Sequence, residues 1–119
     1  MHELSIILEI IKTIEDELEI RKEEGRIILL TLQIGEMSSV LPEYIREYYP
    51  DAIKGTVLEM AELIIESIPA IARCKACGRE VSLSESGEIC PFCTGSELKL
   101  ISGREFFIKE IVLDSTVNK

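Results

Sequence analysis

The amino-acid sequence predicts an α+β fold, in which two helices lie on a three-stranded sheet and a small cysteine-rich module is inserted into this domain. Three observations lead to this prediction. Two segments carry helix signals, three carry the short β-branched and aliphatic runs typical of strands, and all four cysteines lie between the last two of these runs. A chain of 119 residues is long enough to bury a hydrophobic core.

The first elements follow from periodicity. Residues 4–24 predict an amphipathic helix, whose apolar side chains recur every three or four positions: Leu4, Ile7, Ile11, Ile14 and Leu18. Gly25 stands where a glycine C-cap is expected. A strand over 26–34 follows and ends at Gly35, and period two places four of its apolar residues on one face: Ile28, Leu30, Leu32 and Ile34.

A second helix is predicted to start near Pro42, because proline suits the first helical turn, and to run toward Ala52. Pro50 lies inside it and is expected to kink or fray the last turn. The apolar runs at 63–68 and 105–113 predict the second and third strands. A lone strand of this kind is marginally stable, so we expect the strand at 105–113 to find partners in the part of the chain that precedes the cysteine module.

The predicted domains are therefore 1–70 plus 104–119, an α+β domain, and 71–103, the inserted module. The net charge of −9 belongs to residues 1–70, which hold six Lys/Arg against fifteen Asp/Glu. Such a balance argues against a protein that binds the phosphate backbone of nucleic acids. No apolar stretch is long enough to span a membrane, and the first residues show no signal-peptide pattern, so we expect a cytoplasmic protein.

The cysteines form two CxxC pairs, Cys74 with Cys77 and Cys90 with Cys93, separated by twelve residues. This spacing predicts a tetrahedral Cys₄ zinc site of the zinc-ribbon type, whose role is structural because four thiolates leave no open position on the ion. Two disulfides, a redox-active pair and an iron–sulfur cluster are the weaker alternatives. The module holds four basic and four acidic residues, and Phe92 is the only aromatic residue between its first and last cysteines, so its signal for nucleic-acid binding is weak.

The single histidine, His2, lies next to the α-amine of Met1. The amine nitrogen, the amide nitrogen of His2 and its imidazole can close fused chelate rings around one metal ion, an arrangement that Ni(II) and Cu(II) favour. The alternative is a frayed terminal residue with no role. No second histidine and no phosphate-binding glycine loop is available, which argues against an enzyme. The tyrosines of the second helix form either part of the core or a patch facing a partner: Tyr44, Tyr48 and Tyr49.

Several motifs occur in one order along the chain: the opening Met1-His2-Glu3-Leu4-Ser5-Ile6, then Leu32-Gln33-Ile34-Gly35-Glu36, Pro42-Glu43, Gly55-Thr56 and the two CxxC pairs. Together they resemble the HypA family of hydrogenase nickel-incorporation metallochaperones over essentially the whole chain. The resemblance implies a nickel domain of two helices and a three-stranded sheet beside a zinc ribbon. It also implies two ligand sets: Met1, His2 and Glu3 for nickel, and Cys74, Cys77, Cys90 and Cys93 for zinc.

The resemblance further implies that the protein delivers Ni(II) to the precursor of the NiFe-hydrogenase large subunit, together with a nucleotide-hydrolysing partner, the HypB protein. The zinc module has no histidine beside its CxxC pairs, unlike some relatives, so ligand exchange with such a histidine does not apply here. The sequence is compatible with a monomer and with a homodimer. The alternative function is that of a zinc-ribbon adaptor or nucleic-acid-associated factor with an incidental Met-His start.

Overall fold

The structure is a computed structural model, and it describes residues 2–114. The predicted α+β class is confirmed. One three-stranded sheet has the strand order β2-β1-β6 and a second has the order β4-β3-β5. The elements are, in chain order, α1 (His2–Arg21), β1 (Arg26–Gly35), α2 (Pro42–Ala52), β2 (Glu62–Ile68), β3 (Ile71–Cys74), β4 (Glu80–Ser82), α3 (Leu83–Ser86), β5 (Leu98–Ser102) and β6 (Phe106–Asp114).

The chain forms two compact units. Within the described residues, the first comprises 2–32, Val40–Glu66 and 107–114, and the second comprises Gln33–Ser39 and Ser67–Phe106. The domain limits read from the sequence, 1–70 plus 104–119 and 71–103, stay a prediction. Among the described residues, no helix is long and apolar enough to cross a membrane.

Helix α1 differs from its predicted limits at both ends. It begins at His2, two residues before the predicted start at Leu4, so residue 2 lies within the helix and not before it. It ends at Arg21, where Lys22 takes a left-handed conformation with φ of 56°. The N–H groups of Lys22 and Glu23 donate to the carbonyls of Glu19 (3.2 Å) and Leu18 (3.0 Å), a Schellman motif. These bonds close the helix before Gly25, which is therefore not its cap.

The predicted apolar stripe of α1 is buried at its centre. Ile7, Ile11 and Ile14 are buried together with Ile10, while Leu4 and Leu18 are partly exposed.

In β1, the predicted apolar face holds for Leu30, Leu32 and Ile34, which are all buried. The prediction is wrong for Ile28, which is 40% exposed. At that end of the strand the neighbouring residue, Ile27, is buried instead.

Helix α2 runs from Pro42 to Ala52 as predicted, with Pro50 inside it. The N–H of Ile53 donates to the Tyr49 carbonyl at 3.1 Å, so the last turn is closed rather than frayed. Of the tyrosines, Tyr49 belongs to the core, Tyr48 is half-buried and Tyr44 lies at the surface. Tyr49 is buried and donates its hydroxyl to the Ala61 carbonyl at 3.0 Å, whereas Tyr44 is 42% exposed.

We expect Tyr49 to make stability fall at alkaline pH. Burial raises the pKa of its phenol from 10.0 to about 12, so the native state favours the neutral form. The buried neutral phenol makes its full contribution to the free energy of unfolding below pH 10, the pKa in the unfolded chain. This contribution is lost as the pH rises from 10 through 12, because the unfolded chain loses the proton first. Tyr49→Phe should remove an alkaline loss of about 1–2 kcal/mol, measured by urea unfolding from pH 8 to pH 11. Tyr44→Phe is the matched control, and an equal alkaline loss in wild type and Tyr49→Phe would contradict the prediction.

Two glycines allow a close backbone crossing within the second unit. The N–H groups of Gly35 and Met37 donate to the carbonyls of Glu105 and Gly103, each at 2.7 Å. A Cβ atom on Gly35 would lie 2.1 Å from the Gly103 carbonyl oxygen. Gly103 has φ of +118°, and a Cβ there would lie 2.6 Å from the Cα of Ala70. Both positions therefore exclude any side chain.

Two carboxylates accept backbone hydrogen bonds where these segments approach each other. Glu36 Oε1 accepts the Ala70 N–H at 2.8 Å, and Glu105 Oε1 accepts the Gly103 N–H at 2.7 Å. The hydrogen bond from Gly103 holds the pKa of the Glu105 carboxyl below its ordinary value.

Candidate metal centre

The sheet β4-β3-β5 positions the first cysteine pair. Strand β3 pairs antiparallel with β4 and β5, and its last residue, Cys74, lies opposite Leu98. The core of this region is small. It consists of four buried residues, Ala72, Cys74, Val81 and Cys90, with Leu83 and Leu98 packed against them. Two of the four are predicted metal ligands, so the core and the metal site are built from the same residues.

The two CxxC pairs fold into equivalent turns. In the first turn, the Cys74 N–H donates to the Arg79 carbonyl (2.9 Å) and the Gly78 N–H donates to the Cys74 carbonyl (2.8 Å). In the second turn, the Cys90 N–H donates to the Gly95 carbonyl and the Thr94 N–H donates to the Cys90 carbonyl, both at 2.8 Å. The repeated sequence spacing thus produces repeated backbone geometry.

The four sulfur atoms converge, as the spacing predicts. All four Sγ atoms lie within 4.8 Å of one another, with 3.5 Å between Cys74 and Cys93 and 3.7 Å between Cys77 and Cys90. A tetrahedral zinc ion with Zn–S bonds of about 2.3 Å separates its sulfurs by about 3.8 Å. All four cysteines lie in the described range, and none is in a disulfide, so each sulfur can bind a metal ion once it is deprotonated. The donor set and its spacing therefore fit zinc.

Hydrogen bonds at the sulfur atoms shift the pKa values of two cysteine thiols in opposite directions. Hydrogen bonds, first from the Cys77 N–H, lower the pKa of the Cys74 thiol from 9.0 to about 7. At Cys93, the Gly95 N–H lowers the pKa, but hydrogen bonding to Cys74 and burial outweigh it and raise the pKa to about 12. Their shared hydrogen bond thus favours the thiolate at Cys74 and the protonated thiol at Cys93, and a divalent cation bound by both sulfurs would displace that proton.

The two turns differ at one position. Gly78 and Thr94 each follow the second cysteine of a pair and have φ of 79° and 60°. Glycine adopts this left-handed conformation without strain, whereas a β-branched residue rarely does. Strain is therefore present in the second turn only.

Thr94→Gly is expected to stabilise the metal-loaded protein by about 0.5–1 kcal/mol, because it relieves this strain at the cost of one exposed hydroxyl hydrogen bond. The reverse change, Gly78→Thr, should destabilise it by about 1 kcal/mol through the backbone conformation, since nothing lies within 4 Å of an added Cβ atom. Unfolding free energies of the two variants test this. A loss of stability in Thr94→Gly would contradict it.

The structure describes two of the three predicted nickel residues. His2 is exposed at the first position of α1, and Met1 lies outside the described residues. Glu3 is 8% exposed, and its Oε2 accepts the Leu41 N–H at 3.3 Å. The first N–H groups of a helix have no intrahelical acceptor, so α1 does not engage the amide nitrogens of His2 and Glu3 in helical hydrogen bonds.

The contact between Glu3 and Leu41 was not anticipated from the sequence. The two residues are 38 positions apart, and neither carries a local pattern that points to the other. In the sequence, Glu3 stands out only as part of the opening Met1-His2-Glu3 motif.

Comparison with known proteins covers nearly the whole chain. Residues 1–113 match the family model described as "Hydrogenase/urease nickel incorporation, metallochaperone, hypA". The chain is 38% identical to the hydrogenase maturation factor HypA of Chlorobium limicola, over 96% of this chain and 97% of that protein. It is 36% identical to the protein of the same name from Streptomyces avermitilis, over 93% of this chain and 86% of that protein.

Two solved structures share the fold. The solution structure of the Ni metallochaperone HypA from Helicobacter pylori has a TM-score of 0.64 and 18% identity, over 93% of this chain and 96% of that chain. A second solution structure, of a HypA protein, has a TM-score of 0.68 and 19% identity, over 97% and 98% of the two chains. At these identities the likeness concerns the architecture alone.

Proposed function

Because the chain belongs to the HypA family of hydrogenase/urease nickel-incorporation metallochaperones, we propose that it binds Ni(II) at its N-terminus and delivers it during hydrogenase maturation. The recipient is the precursor of the NiFe-hydrogenase large subunit, and a HypB-type nucleotide-hydrolysing protein assists the transfer. One observation carries the proposal. The family match spans residues 1–113 and so includes both the Met-His-Glu start and the four cysteines.

The nickel ligands we propose are the Met1 amine, the amide nitrogen and imidazole of His2, and the backbone nitrogen of Glu3. Ni(II) favours nitrogen donors of this kind. Two features of the described residues support this set. His2 is exposed, and the first amide groups of α1 lack helical acceptors, so their use as ligands breaks no helical hydrogen bond.

A site at the chain terminus also suits a carrier. Its ligands belong to one short segment, so they can leave the ion one by one as a recipient supplies its own donors. The acidic residues of 1–70 raise the local concentration of a divalent cation and steer a basic partner toward this domain. We propose a carrier without catalytic activity of its own, acting in the cytoplasm.

The second metal we propose is a structural zinc ion, held by Cys74, Cys77, Cys90 and Cys93. Bound zinc would cross-link the two CxxC turns and supply folding free energy to the second unit. The convergence of four free thiols within 4.8 Å supports this assignment. Four thiolate ligands leave no open position for exchange with the nickel cargo.

Nickel titration of the untagged protein tests the proposed function. Calorimetry at fixed pH should find one nickel ion per chain in addition to one zinc ion. His2→Ala should abolish specific nickel binding and leave the zinc content unchanged. A single residue added before Met1 should weaken nickel binding at least about 10-fold, because the amine becomes an amide. The same residue added at the C-terminus is the matched control.

The titration also discriminates between the remaining alternatives. Nickel affinity should fall on acidification, since protons compete for the amine, imidazole and amide nitrogens. Unchanged affinity in the N-terminally extended protein would remove the Met1 amine from the site. Zinc alone, with no nickel bound, would favour the zinc-ribbon adaptor, and a steep salt-dependent affinity for a defined nucleic-acid sequence would identify a nucleic-acid factor.

A further inference from the structure

The carboxylate of Glu3 is buried and makes a hydrogen bond within the protein. Although it belongs to the opening Met-His-Glu segment, it is only 8% exposed, and its Oε2 accepts the Leu41 N–H at 3.3 Å. Both residues belong to the first compact unit, in which α1 packs against α2. The contact joins the first turn of α1 to the start of α2.

The start of α2 needs such an acceptor. Leu41 is its N-cap, with extended backbone angles (φ −97°, ψ 117°) and no side-chain cap. In a capping box, a glutamate at the third helical position accepts the N–H of the N-cap residue. That position in α2 is Tyr44, which carries no carboxylate. Glu3 therefore supplies from α1 the acceptor that α2 lacks, and the positive end of the α2 dipole favours its negative charge.

We propose that Glu3 is a positioning residue for nickel binding, which anchors the start of α1 to the N-terminus of α2 without donating its carboxylate to the metal. This inference rests on the proposed nickel site. Glu3 directly follows His2, so its anchor restricts the backbone that carries the amide and imidazole nitrogens. Less conformational freedom then remains to be lost when the ion is chelated. Replacing a residue that orients a metal ligand without binding the metal itself typically weakens metal affinity about 10–100-fold.

Glu3→Gln and Glu3→Ala separate positioning from ligation. Glutamine keeps an acceptor oxygen at the same reach but has no carboxylate to offer nickel, whereas alanine loses the acceptor. Calorimetric titration of the untagged, zinc-loaded proteins should give nickel affinity within about 3-fold of wild type for Glu3→Gln. Affinity should be at least about 10-fold weaker for Glu3→Ala. The X-ray absorption spectrum of the bound nickel should be the same in all three proteins.

A change on the other side of the hydrogen bond provides an independent test. Leu41→Pro removes the donor and keeps Glu3, so it should weaken nickel binding as much as Glu3→Ala does, and the double variant should be no weaker. Leu41→Ala, which keeps the N–H, is the matched control. Hydrogen exchange at the Leu41 amide should be faster in Glu3→Ala than in Glu3→Gln and wild type.

The outcomes are distinct. Equal losses in Glu3→Gln and Glu3→Ala with an altered nickel spectrum would make the carboxylate a ligand and overturn the inference. Wild-type affinity in Glu3→Ala would also overturn it. If the wild-type protein itself binds no nickel, the proposed function fails instead, while the exchange of the Leu41 amide still tests the anchor. Circular dichroism and zinc content verify that each variant folds, and the glutamate variants decide the result if Leu41→Pro does not.

Discussion

Cys74→Ser is expected to abolish the proposed zinc binding and to unfold much of the second unit. The buried core of the cysteine region has four residues, and Cys74 and Cys90 are two of them. So small a core leaves the metal to supply the folding free energy, which reaches about 10–16 kcal/mol in zinc-finger peptides. The first unit has its own buried residues, among them Ile7, Leu30 and Ile45, and should keep its structure in part.

Elemental analysis and two-dimensional NMR measure this result. Zinc should fall from one ion per chain to none, and the amide resonances of β3, β4 and β5 should lose their dispersion. Lys75→Ser is the matched control, because Lys75 is an exposed residue of the same turn that offers no sulfur ligand, and it should change neither reading. One zinc ion per chain in Cys74→Ser would remove Cys74 from the essential ligands, and oxidised cysteines in the wild-type protein would refute the zinc assignment.

Gly103→Ala is expected to destabilise the protein by at least about 3 kcal/mol. Two effects add at this position. The backbone has φ of +118°, a conformation that residues with a side chain rarely adopt, and the new Cβ would lie 2.6 Å from the Cα of Ala70. The clash is with backbone, so no side-chain rotation can relieve it.

Gly55→Ala measures the cost of a side chain at a positive φ without a steric clash. Gly55 also has a positive φ, +75°, but nothing lies within 4 Å of its added Cβ. We expect it to cost only about 1 kcal/mol. Urea unfolding compares the two variants, and failure of Gly103→Ala to fold at all is the stronger form of the same result. Similar losses in both variants would show that the close approach of Gly103 to Ala70 contributes nothing.

The elements with strong local signals were predictable. The apolar stripe centred on Ile11, the strand that ends at Gly35 and the helix that starts at Pro42 all occur where the sequence places them. Periodicity, β-propensity and proline geometry act over a few residues, so they can be read without the rest of the fold. The cysteine cluster was predictable for the same reason, since each CxxC pair closes its own turn and the two turns share one backbone pattern.

Other features depend on contacts between distant parts of the chain. The role of Gly103 depends on Ala70, and that of Glu3 depends on Leu41, 38 residues away. Local sequence determined which segments become helix, strand and metal-binding turn, because those preferences are short-range. Only the tertiary structure decided where backbones approach without room for a Cβ and which carboxylate anchors which helix, because packing brings those groups together.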